Sequence, residues 1–285
     1  MKNIIYSIYI ENTDPNLDEK HQFTKTQLEK HWQKLIDVKK EYAKHCNADF
    51  RIYGNDWGWQ AFKKKFNGYE FDVINLYKIH LWEELGKTYD NVLYLDFDVV
   101  PNTTENFFET FDMNKICVHA VDSTPENVWS EKDIKNYKKG KVKFETIISH
   151  MDKYSMYVKA MCKKAMLATD NKLDTDYYIA NTAILGGNSS AIKQLRYTES
   201  LNEILDVLNK AKEEQFFWEG ITKLFFANNE IFVHYLLDKD NIDWYNLPKE
   251  WHTYLMAKDK ITEDIKDSKM IHLINKRFEE LWKIF

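Results

Sequence analysis

VLYLDFDVVP, residues 92–101, holds four apolar or aromatic residues that run directly into two aspartates, Asp96 and Asp98. A continuous apolar run of this length is typical of a strand that is covered by helices on both faces of a sheet. Open α/β sheets bind their ligands at the carboxyl ends of such strands. The stretch therefore predicts a buried central strand that presents two carboxylates at a ligand-binding edge.

Strand and helix patterns alternate on both sides of this stretch. Short apolar runs predict further strands at residues 4–10, 49–53, 116–121 and 177–185, the last ended by Gly186-Gly187. Apolar residues at intervals of three and four predict helices at about residues 19–46, 72–85, 191–212, 229–237 and 279–285. Such alternation indicates an α/β fold with a central mixed, mainly parallel β-sheet flanked by helices.

The remaining segments are less regular. Polar composition predicts loops at residues 12–18 and 54–58, and residues 270–275 form a short apolar run. Trp57 and Trp59 flank Gly58 in the second loop and are candidates for stacking on a sugar or base, or for core packing. Residues 132–143 are rich in lysine and predict a solvated loop, with an acceptor-side lid as the alternative.

Composition narrows the class of protein. The 285 residues contain no linker, repeat or low-complexity tract, so we expect a single domain over residues 1–285. A net charge of -5 argues against nucleic-acid binding, which needs a basic surface.

The three cysteines are far apart and form no C-x-x-C pair, which favours reduced thiols. We find neither a signal peptide nor an apolar run of about 20 residues, and expect a cytoplasmic protein without a membrane span.

Asp96 and Asp98 are the strongest candidates for chemistry. Two carboxylates beside a core are costly unless a cation or hydrogen bonds compensate them. Hard oxygen ligands suit Mg²⁺ or Mn²⁺, which in turn bind diphosphate oxygens. The same Asp-x-Asp spacing recurs at residues 174–176 and 238–240, but in polar surroundings that favour solvated side chains. The pair at the end of the apolar strand is thus the predicted metal site.

Residues 89–100, with the sequence YDNVLYLDFDVV, resemble a conserved block of GT-A glycosyltransferases, and the match is best with the glycogenin-like and galactosyltransferase-like retaining families. Three weaker blocks follow the order of those families. Lys78 stands where they carry a basic residue, and residues 181–185 resemble an N-x-G-v-l strand in which Ala183 replaces the glycine. Residues 271–273 with Lys276 resemble a C-terminal block that carries a histidine.

The resemblance implies a Rossmann-like GT-A fold and a set of site residues. A divalent ion, Mn²⁺ or Mg²⁺, would be held by Asp96, Asp98 and His272. Lys78 and Lys276 would bind the diphosphate of the donor, with surface or salt-bridge lysines as the alternative. His272 taken alone is an ordinary core histidine.

The resemblance also implies roles in the site for three further residues, and it leaves alternatives open. Glu230 would act as a base in an inverting reaction, or orient donor or acceptor in a retaining one; a simple acid at a helix N-terminus is equally consistent. Asn181 would hydrogen-bond the donor sugar. Tyr9 is one of several residues at the end of the first strand that would contact the base and ribose.

The function that these features favour is a metal-dependent glycosyltransferase. It would transfer a sugar from a nucleoside-diphosphate sugar, with UDP favoured by likeness, to a glycan, protein or other hydroxyl acceptor, with retention. A haloacid dehalogenase-like phosphatase also places D-x-D after an apolar strand, normally on the first strand. A catalytically inactive sugar-binding protein is the other alternative. A sugar-nucleotide pyrophosphorylase would need a glycine-rich phosphate loop after the first strand, which residues 11–14 do not offer.

Overall fold

The computed structural model of the protein describes residues 1–11, 17–65, 70–124, 130–141, 151–172, 175–213, 228–256 and 261–285. Most of the loop predicted at residues 12–18 lies outside these described residues. So do Lys143 of the lysine-rich stretch and Asp174 of the second Asp-x-Asp pair.

A six-stranded sheet forms the centre of the fold. In spatial order its strands are β2 (Ala48–Tyr53), β1 (Asn3–Ile8), β3 (Asn91–Leu95), β6 (Tyr178–Asn188), β5 (Ile116–Asp122) and β7 (Trp244–Asn246). β1 pairs in parallel with β2 and β3, and β5 pairs in parallel with β7. β6 runs antiparallel to both of its neighbours, β3 and β5. Since only β6 is reversed, the predicted mixed, mainly parallel sheet is confirmed.

A second, small sheet lies beyond the carboxyl end of β3. β4 (Val99–Pro101) pairs antiparallel with β9 (Met270–His272), and β9 pairs in parallel with β8 (Thr253–Tyr254). The chain leaves β3, turns through residues 96–98, and enters this second sheet at Val99. The sequence did not reveal this sheet, because strands of two or three residues are too short to show a period.

Helices pack on both faces of the central sheet. The helices of the described residues are α1 (Glu19–Lys30), α2 (Trp32–His45), α3 (Trp57–Lys63), α4 (Glu70–Gly86), α5 (Phe107–Thr110), α6 (Glu131–Lys138), α7 (Met151–Thr169), α8 (Ser189–Leu195), α9 (Tyr197–Glu213), α10 (Asn229–Lys239) and α11 (Phe278–Leu281). Successive strand residues contribute to opposite cores: Val92 packs with residues of α4 and α10, whereas Leu93 packs with residues of α2 and α5. Burial on both faces explains why β3 is apolar throughout.

Two predicted helices are each divided in two. The helix predicted at residues 19–46 is interrupted at His31, between α1 and α2. The helix predicted at residues 191–212 is interrupted at Arg196, which adopts a left-handed conformation with φ 45° and so cannot continue a right-handed helix. The Glu83 carboxylate accepts hydrogen bonds from the first backbone amides of α9, including Thr198 N at 2.8 Å. A side chain distant in sequence therefore starts the second helix.

Two predictions about glycine-containing segments were wrong. Gly186 and Gly187 do not end β6, which continues to Asn188. A side chain at Gly186 would place its Cβ 2.4 Å from Phe107 Cε1, so this glycine allows close packing rather than a turn. Residues 57 and 58 begin α3 instead of forming a loop.

The Asp56 side chain caps α3 by accepting a hydrogen bond from Trp59 N at 2.9 Å. The helix directs the two tryptophan side chains into different environments: Trp59 is fully buried, whereas Trp57 is 85% exposed. The three cysteines are free and buried, as expected. Among the described helices, none combines the length and the hydropathy that crossing a bilayer requires.

Candidate active site

Asp96 and Asp98 lie on a tight turn at the carboxyl end of β3. Asp96 N donates a hydrogen bond to Ala183 O of β6 at 2.8 Å, which fixes the start of the turn against the central sheet. Val99 N donates to Asp96 O at 2.9 Å and closes the turn. Leu273 N donates to Asp98 O at 3.1 Å, so the C-terminal segment holds the other side. Both carboxylates thus stand on a backbone that is hydrogen-bonded from two sheets.

His272 joins the two aspartates because β9 pairs with β4. Val99 and His272 are opposite each other in that ladder. His272 Nε2 lies 3.4 Å from Asp98 Oδ2. One ligand atom each from Asp96, Asp98 and His272 lies within 4.8 Å of the others. Two carboxylates and one imidazole are donors that suit Mn²⁺ or Mg²⁺, so these residues fit the predicted ion; their role as ligands stays a prediction.

Two lysines contact the same carboxylates. Lys78, on α4 and 6% exposed, places Nζ 3.4 Å from Asp96 Oδ1, which also accepts a hydrogen bond from the Tyr94 hydroxyl. Lys276 Nζ contacts Asp98 Oδ2, and its backbone is left-handed with φ 56°. The structure therefore brings together both lysines that the resemblance assigned to the donor, one on each aspartate.

The charges around Asp98 determine its protonation. Burial by itself raises the pKa of Asp98, but the positive charge of Lys276 and the contact with His272 outweigh burial and hold that pKa well below its ordinary value. Asp98 is therefore ionised at neutral pH. An ionised carboxylate is the form that binds a metal ion or an ammonium group.

Lys39 lies beneath the turn and was not found from the sequence. It is fully buried on α2, and its Nζ donates a hydrogen bond to Phe97 O at 2.8 Å, between the two aspartates. Burial lowers the pKa of Lys39 to about 7, although the charges of Asp98 and Asp96 act in the opposite direction. Its spacing of four from buried Leu35 places it on the apolar face of the helix, and this signal could have identified it.

His252 was also missed. Its ring stacks on His272 with ring centres 5.6 Å apart, and its Nε2 lies 3.4 Å from His272 Nδ1. His119 contacts the other side of His252, with ring centres 5.4 Å apart. His252 lies in the short segment between a 3₁₀ turn and β8, where no sequence pattern distinguished it.

Tyr9 borders a groove next to the aspartate turn. Its ring lies 5.1 Å from that of Phe97 and 4.7 Å from that of Trp32. The groove has a volume of about 510 Å³ and is lined by Tyr9, Glu11, Glu29, Trp32 and Asn55. The structure thus places Tyr9 within reach of a ligand held at the turn, while its contact with a base remains a prediction.

Asn181 lies on β6, and Glu230 lies in the first turn of α10. Asn181 lies two residues before Ala183, the partner of Asp96, and its Oδ1 accepts a hydrogen bond from Ala183 N at 3.1 Å. Asn229 Nδ2 donates to Thr182 Oγ1 at 2.7 Å and fastens the start of α10 to β6. Glu230 follows directly and forms an ion pair with Lys159 of α7.

The ion pair shows that Glu230 is more than a solvated acid at a helix terminus, since its side chain is only 16% exposed. The structure gives it no contact with Asp96, Asp98 or His272 among the residues described. The catalytic roles of Asn181 and Glu230 therefore stay predictions. Lys132 and Lys135 of the lysine-rich stretch lie on α6, which forms where a loop was expected.

No protein-family model matches this chain, and no curated protein matches it significantly. Among solved structures, it is similar to a glycosyltransferase involved in the glycosylation of the major capsid of PBCV-1, at 12% identity and a TM-score of 0.40 over 99% of this chain and 98% of the other. It is also similar to mouse xyloside xylosyltransferase 1 in its apo form, at 10% identity and a TM-score of 0.45 over 96% of this chain and 98% of the other. Similarity at this level leaves function to be inferred from the site itself.

Proposed function

We propose that this protein is a metal-dependent glycosyltransferase that uses a nucleoside-diphosphate sugar as donor. The observation that carries the proposal is the convergence of Asp96, Asp98 and His272, whose ligand atoms lie within 4.8 Å of one another at the carboxyl end of β3. A divalent ion bound by this set would neutralise charge on the departing diphosphate. Other residues of the chain would bind the diphosphate, the nucleoside and the sugar.

Lys78 and Lys276 bring two positive charges to the same place. Each contacts one of the aspartates, so the ammonium groups lie beside the proposed ligand set. Point charges of this kind bind phosphate oxygens without demanding one orientation. The two lysines would hold the diphosphate and stabilise the negative charge that appears on it as the sugar leaves.

The groove beside Tyr9 is the proposed site for the nucleoside. Tyr9 and Trp32 offer aromatic faces, and Glu11, Glu29 and Asn55 offer hydrogen-bond acceptors or donors at its border. Contact between Tyr9 and Phe97 joins this groove to the aspartate turn. A single nucleoside-diphosphate sugar could thus place its base in the groove and its diphosphate at the aspartate turn. We take UDP as the nucleotide from the sequence resemblance.

In the proposed reaction, the bond between the anomeric carbon and the diphosphate oxygen breaks, and its electron pair leaves on the nucleoside diphosphate. The acceptor hydroxyl forms the new glycosidic bond, and its proton passes to the departing phosphate oxygen. Asn181 would orient the donor sugar. In a retaining reaction, Glu230, paired with Lys159, would orient the donor or the acceptor. The acceptor would be a glycan or another hydroxyl compound.

A thermal-shift panel of nucleoside diphosphates and their sugars, with and without Mn²⁺, tests the proposal. A ligand that binds only the native state raises the unfolding temperature by mass action, so the true donor should give a shift that requires Mn²⁺. Asp98→Asn should abolish that shift. Asp37→Asn, which changes an exposed carboxylate on α2, is the matched control and should keep it.

Transfer then needs direct detection. Mn²⁺-dependent release of UDP from the donor that gave the shift, measured with and without simple sugar acceptors, is the expected result. Turnover of a generic phosphate ester without any nucleotide effect would instead indicate a phosphatase. Binding of the donor without hydrolysis or transfer would indicate a sugar-binding protein.

A further inference from the structure

A second cluster of metal-binding side chains lies away from the candidate active site. Asp176 precedes β6, and His234 and Asp238 are one turn apart on α10. One ligand atom from each of the three residues lies within 4.8 Å of the others. Asp238 is eight residues after Glu230 on the same helix, which corresponds to about 12 Å along the axis. We call these three residues the α10 cluster.

The α10 cluster already contains one internal cation. The Lys163 side chain of α7 is fully buried, and its Nζ lies 2.9 Å from Asp176 Oδ1 and 2.6 Å from Asp238 Oδ2. One ammonium group therefore contacts both carboxylates, and a second cation, Lys172, lies nearby with its Nζ donating a hydrogen bond to Asp238 O at 2.9 Å. Lys163 explains why two acids are tolerated here, but it does not explain His234.

His234 is a buried side chain whose ring nitrogens find no hydrogen-bond partner in the described part of the chain. The residue is 0% exposed, and neither ring nitrogen has a partner among the described residues. Its Nε2 lies 3.7 Å from Asp238 Oδ1, which is too long for a hydrogen bond. A buried polar group without a hydrogen-bond partner destabilises the native state. An apolar side chain would avoid this cost and pack equally well on Trp244, whose ring lies 5.3 Å away.

The imidazole of His234 is in the form that coordinates metal ions. Burial and the positive charge of Lys163 lower the pKa of His234 to about 3, while Asp176 acts in the opposite direction. The ring is therefore neutral at pH 7 and carries a free lone pair on one nitrogen.

Solvent reaches the cluster through an open cleft. The cleft has a volume of about 570 Å³, and its lining includes Asp176, Asp238, Asp243 and Trp244. Thr175, at the same cleft, has a buried hydroxyl oxygen that also lacks a partner among the described residues. The opening is lined by three aspartates and by Lys172, and it leads to an unsatisfied imidazole and two carboxylates, which suits a small cation.

We propose that the α10 cluster is a second metal site, which binds a divalent transition-metal ion of the Zn²⁺ type through Asp176, His234 and Asp238. This is the same donor set as in the proposed active site, and it also fits Zn²⁺, which accepts an imidazole nitrogen readily, whereas Ca²⁺ prefers oxygen alone. Lys163 competes with the ion for the two carboxylates. The bound ion would join α10 to the start of β6, and it would support the helix that carries Glu230.

Zinc binding to a variant without the first site tests this proposal independently of the proposed function. The protein, free of any histidine tag, carries Asp96→Asn and Asp98→Asn and is dialysed against micromolar Zn²⁺. We expect one equivalent of retained Zn²⁺ and a rise in the unfolding temperature with Zn²⁺. Adding Lys163→Met should increase the affinity for Zn²⁺ by at least tenfold, since the competing ammonium group is removed.

Two further variants identify the ligands. His234→Leu, which fills the buried volume without a lone pair, should lose the retained ion. Asp176→Asn changes a half-exposed side chain and should lower the affinity at least tenfold even if His234→Leu does not fold. No retained Zn²⁺ in the Asp96→Asn/Asp98→Asn protein, or unchanged Zn²⁺ affinity in Asp176→Asn, would overturn the proposal.

Discussion

His252 Nε2 lies 3.4 Å from His272 Nδ1, with the two imidazole planes inclined by 28°. Burial, together with the neighbouring rings of His272 and His119, holds the pKa of His252 well below its ordinary value. A neutral His252 can accept the Nδ1–H of His272. With a metal ion bound, that hydrogen bond would leave the Nε2 lone pair of His272 free for the ion, which is the tautomer that a metal ion requires.

We therefore expect His252→Leu to weaken Mn²⁺ binding about 10- to 100-fold, the usual effect of removing the partner behind a metal-binding histidine. His252→Gln offers an amide oxygen that accepts the same proton, so it should lose less affinity. Titration with Mn²⁺, followed by electron paramagnetic resonance of the free ion, measures both. Equal affinities in the wild type and in a folded His252→Leu protein would contradict this role of His252.

Lys276 competes with a cation for Asp98, because its Nζ contacts the Asp98 carboxylate. Lys276→Met should therefore bind Mn²⁺ alone several-fold more tightly, yet bind UDP more weakly when Mn²⁺ is saturating. Calorimetric titrations of each ligand measure the two effects separately. Lys269→Met, which removes a lysine paired with Glu105 on the surface, should change neither affinity. A parallel loss of both affinities would show that Lys276 acts only on the fold.

Glu230 forms an ion pair with Lys159, and its neighbour Asn229 is hydrogen-bonded to Thr182 of β6. We expect Glu230→Gln to reduce the rate of transfer about 10²- to 10⁴-fold, the range for a group that acts on the reacting atoms, while the Mn²⁺-dependent binding of UDP is unchanged. Glu203→Gln is a matched control, since Glu203 also pairs with a lysine of another helix, Lys239. If both variants keep full activity, Glu230 has a structural role only.

Gly186 is required for the contact between β6 and α5. A Cβ at this position would lie 2.4 Å from Phe107 Cε1. Gly186→Ala should therefore lower the free energy of unfolding by about 1–3 kcal/mol, as overpacking of a core does. Phe107→Leu in the same chain should recover part of that loss. Urea unfolding of the two single variants and the double variant gives the coupling, and additive losses would show that the two residues do not clash.

Lys39 should make the stability of the protein depend on pH above neutrality. Its pKa is about 7 in the native state and about 10.4 in an unfolded chain. Between these values the unfolded chain binds a proton that the native state lacks, so this group's contribution to the free energy of unfolding rises with pH. Below pH 7 both states carry the proton, and the cost of burying the charge is present in full.

Urea unfolding at pH 7 and pH 9.5 checks this dependence. The free energy of unfolding of the wild type, relative to Lys39→Met, should increase between the two pH values. Lys40→Met removes the exposed neighbouring lysine on α2, and it is the control for the effect of removing any lysine from this helix. A wild-type advantage over Lys39→Met that is the same at both pH values would mean that Lys39 titrates normally.

Much of the central architecture could be predicted because it depends on local patterns. The apolar run before Asp96 marked β3, and alternating helix and strand periods indicated the mixed, mainly parallel sheet. Segments that depend on a distant partner were missed. The short strands β4, β8 and β9 exist only as one another's partners, and α9 begins at Tyr197 because Glu83 caps it.

The sequence by itself determined where the two carboxylates stand, since a buried strand that ends in Asp-x-Asp presents both of them at the edge of the sheet. It also indicated His272 and Lys276 through a resemblance of motifs. Only the tertiary structure decided that β9 pairs with β4 and brings His272 within 3.4 Å of Asp98. The tertiary structure alone also brought Lys163 between Asp176 and Asp238, and it left His234 without a hydrogen bond to any residue that the structure describes. The physical reason is that periodicity records which face of an element is buried, whereas the partners of a buried charge come from elements far away in the chain.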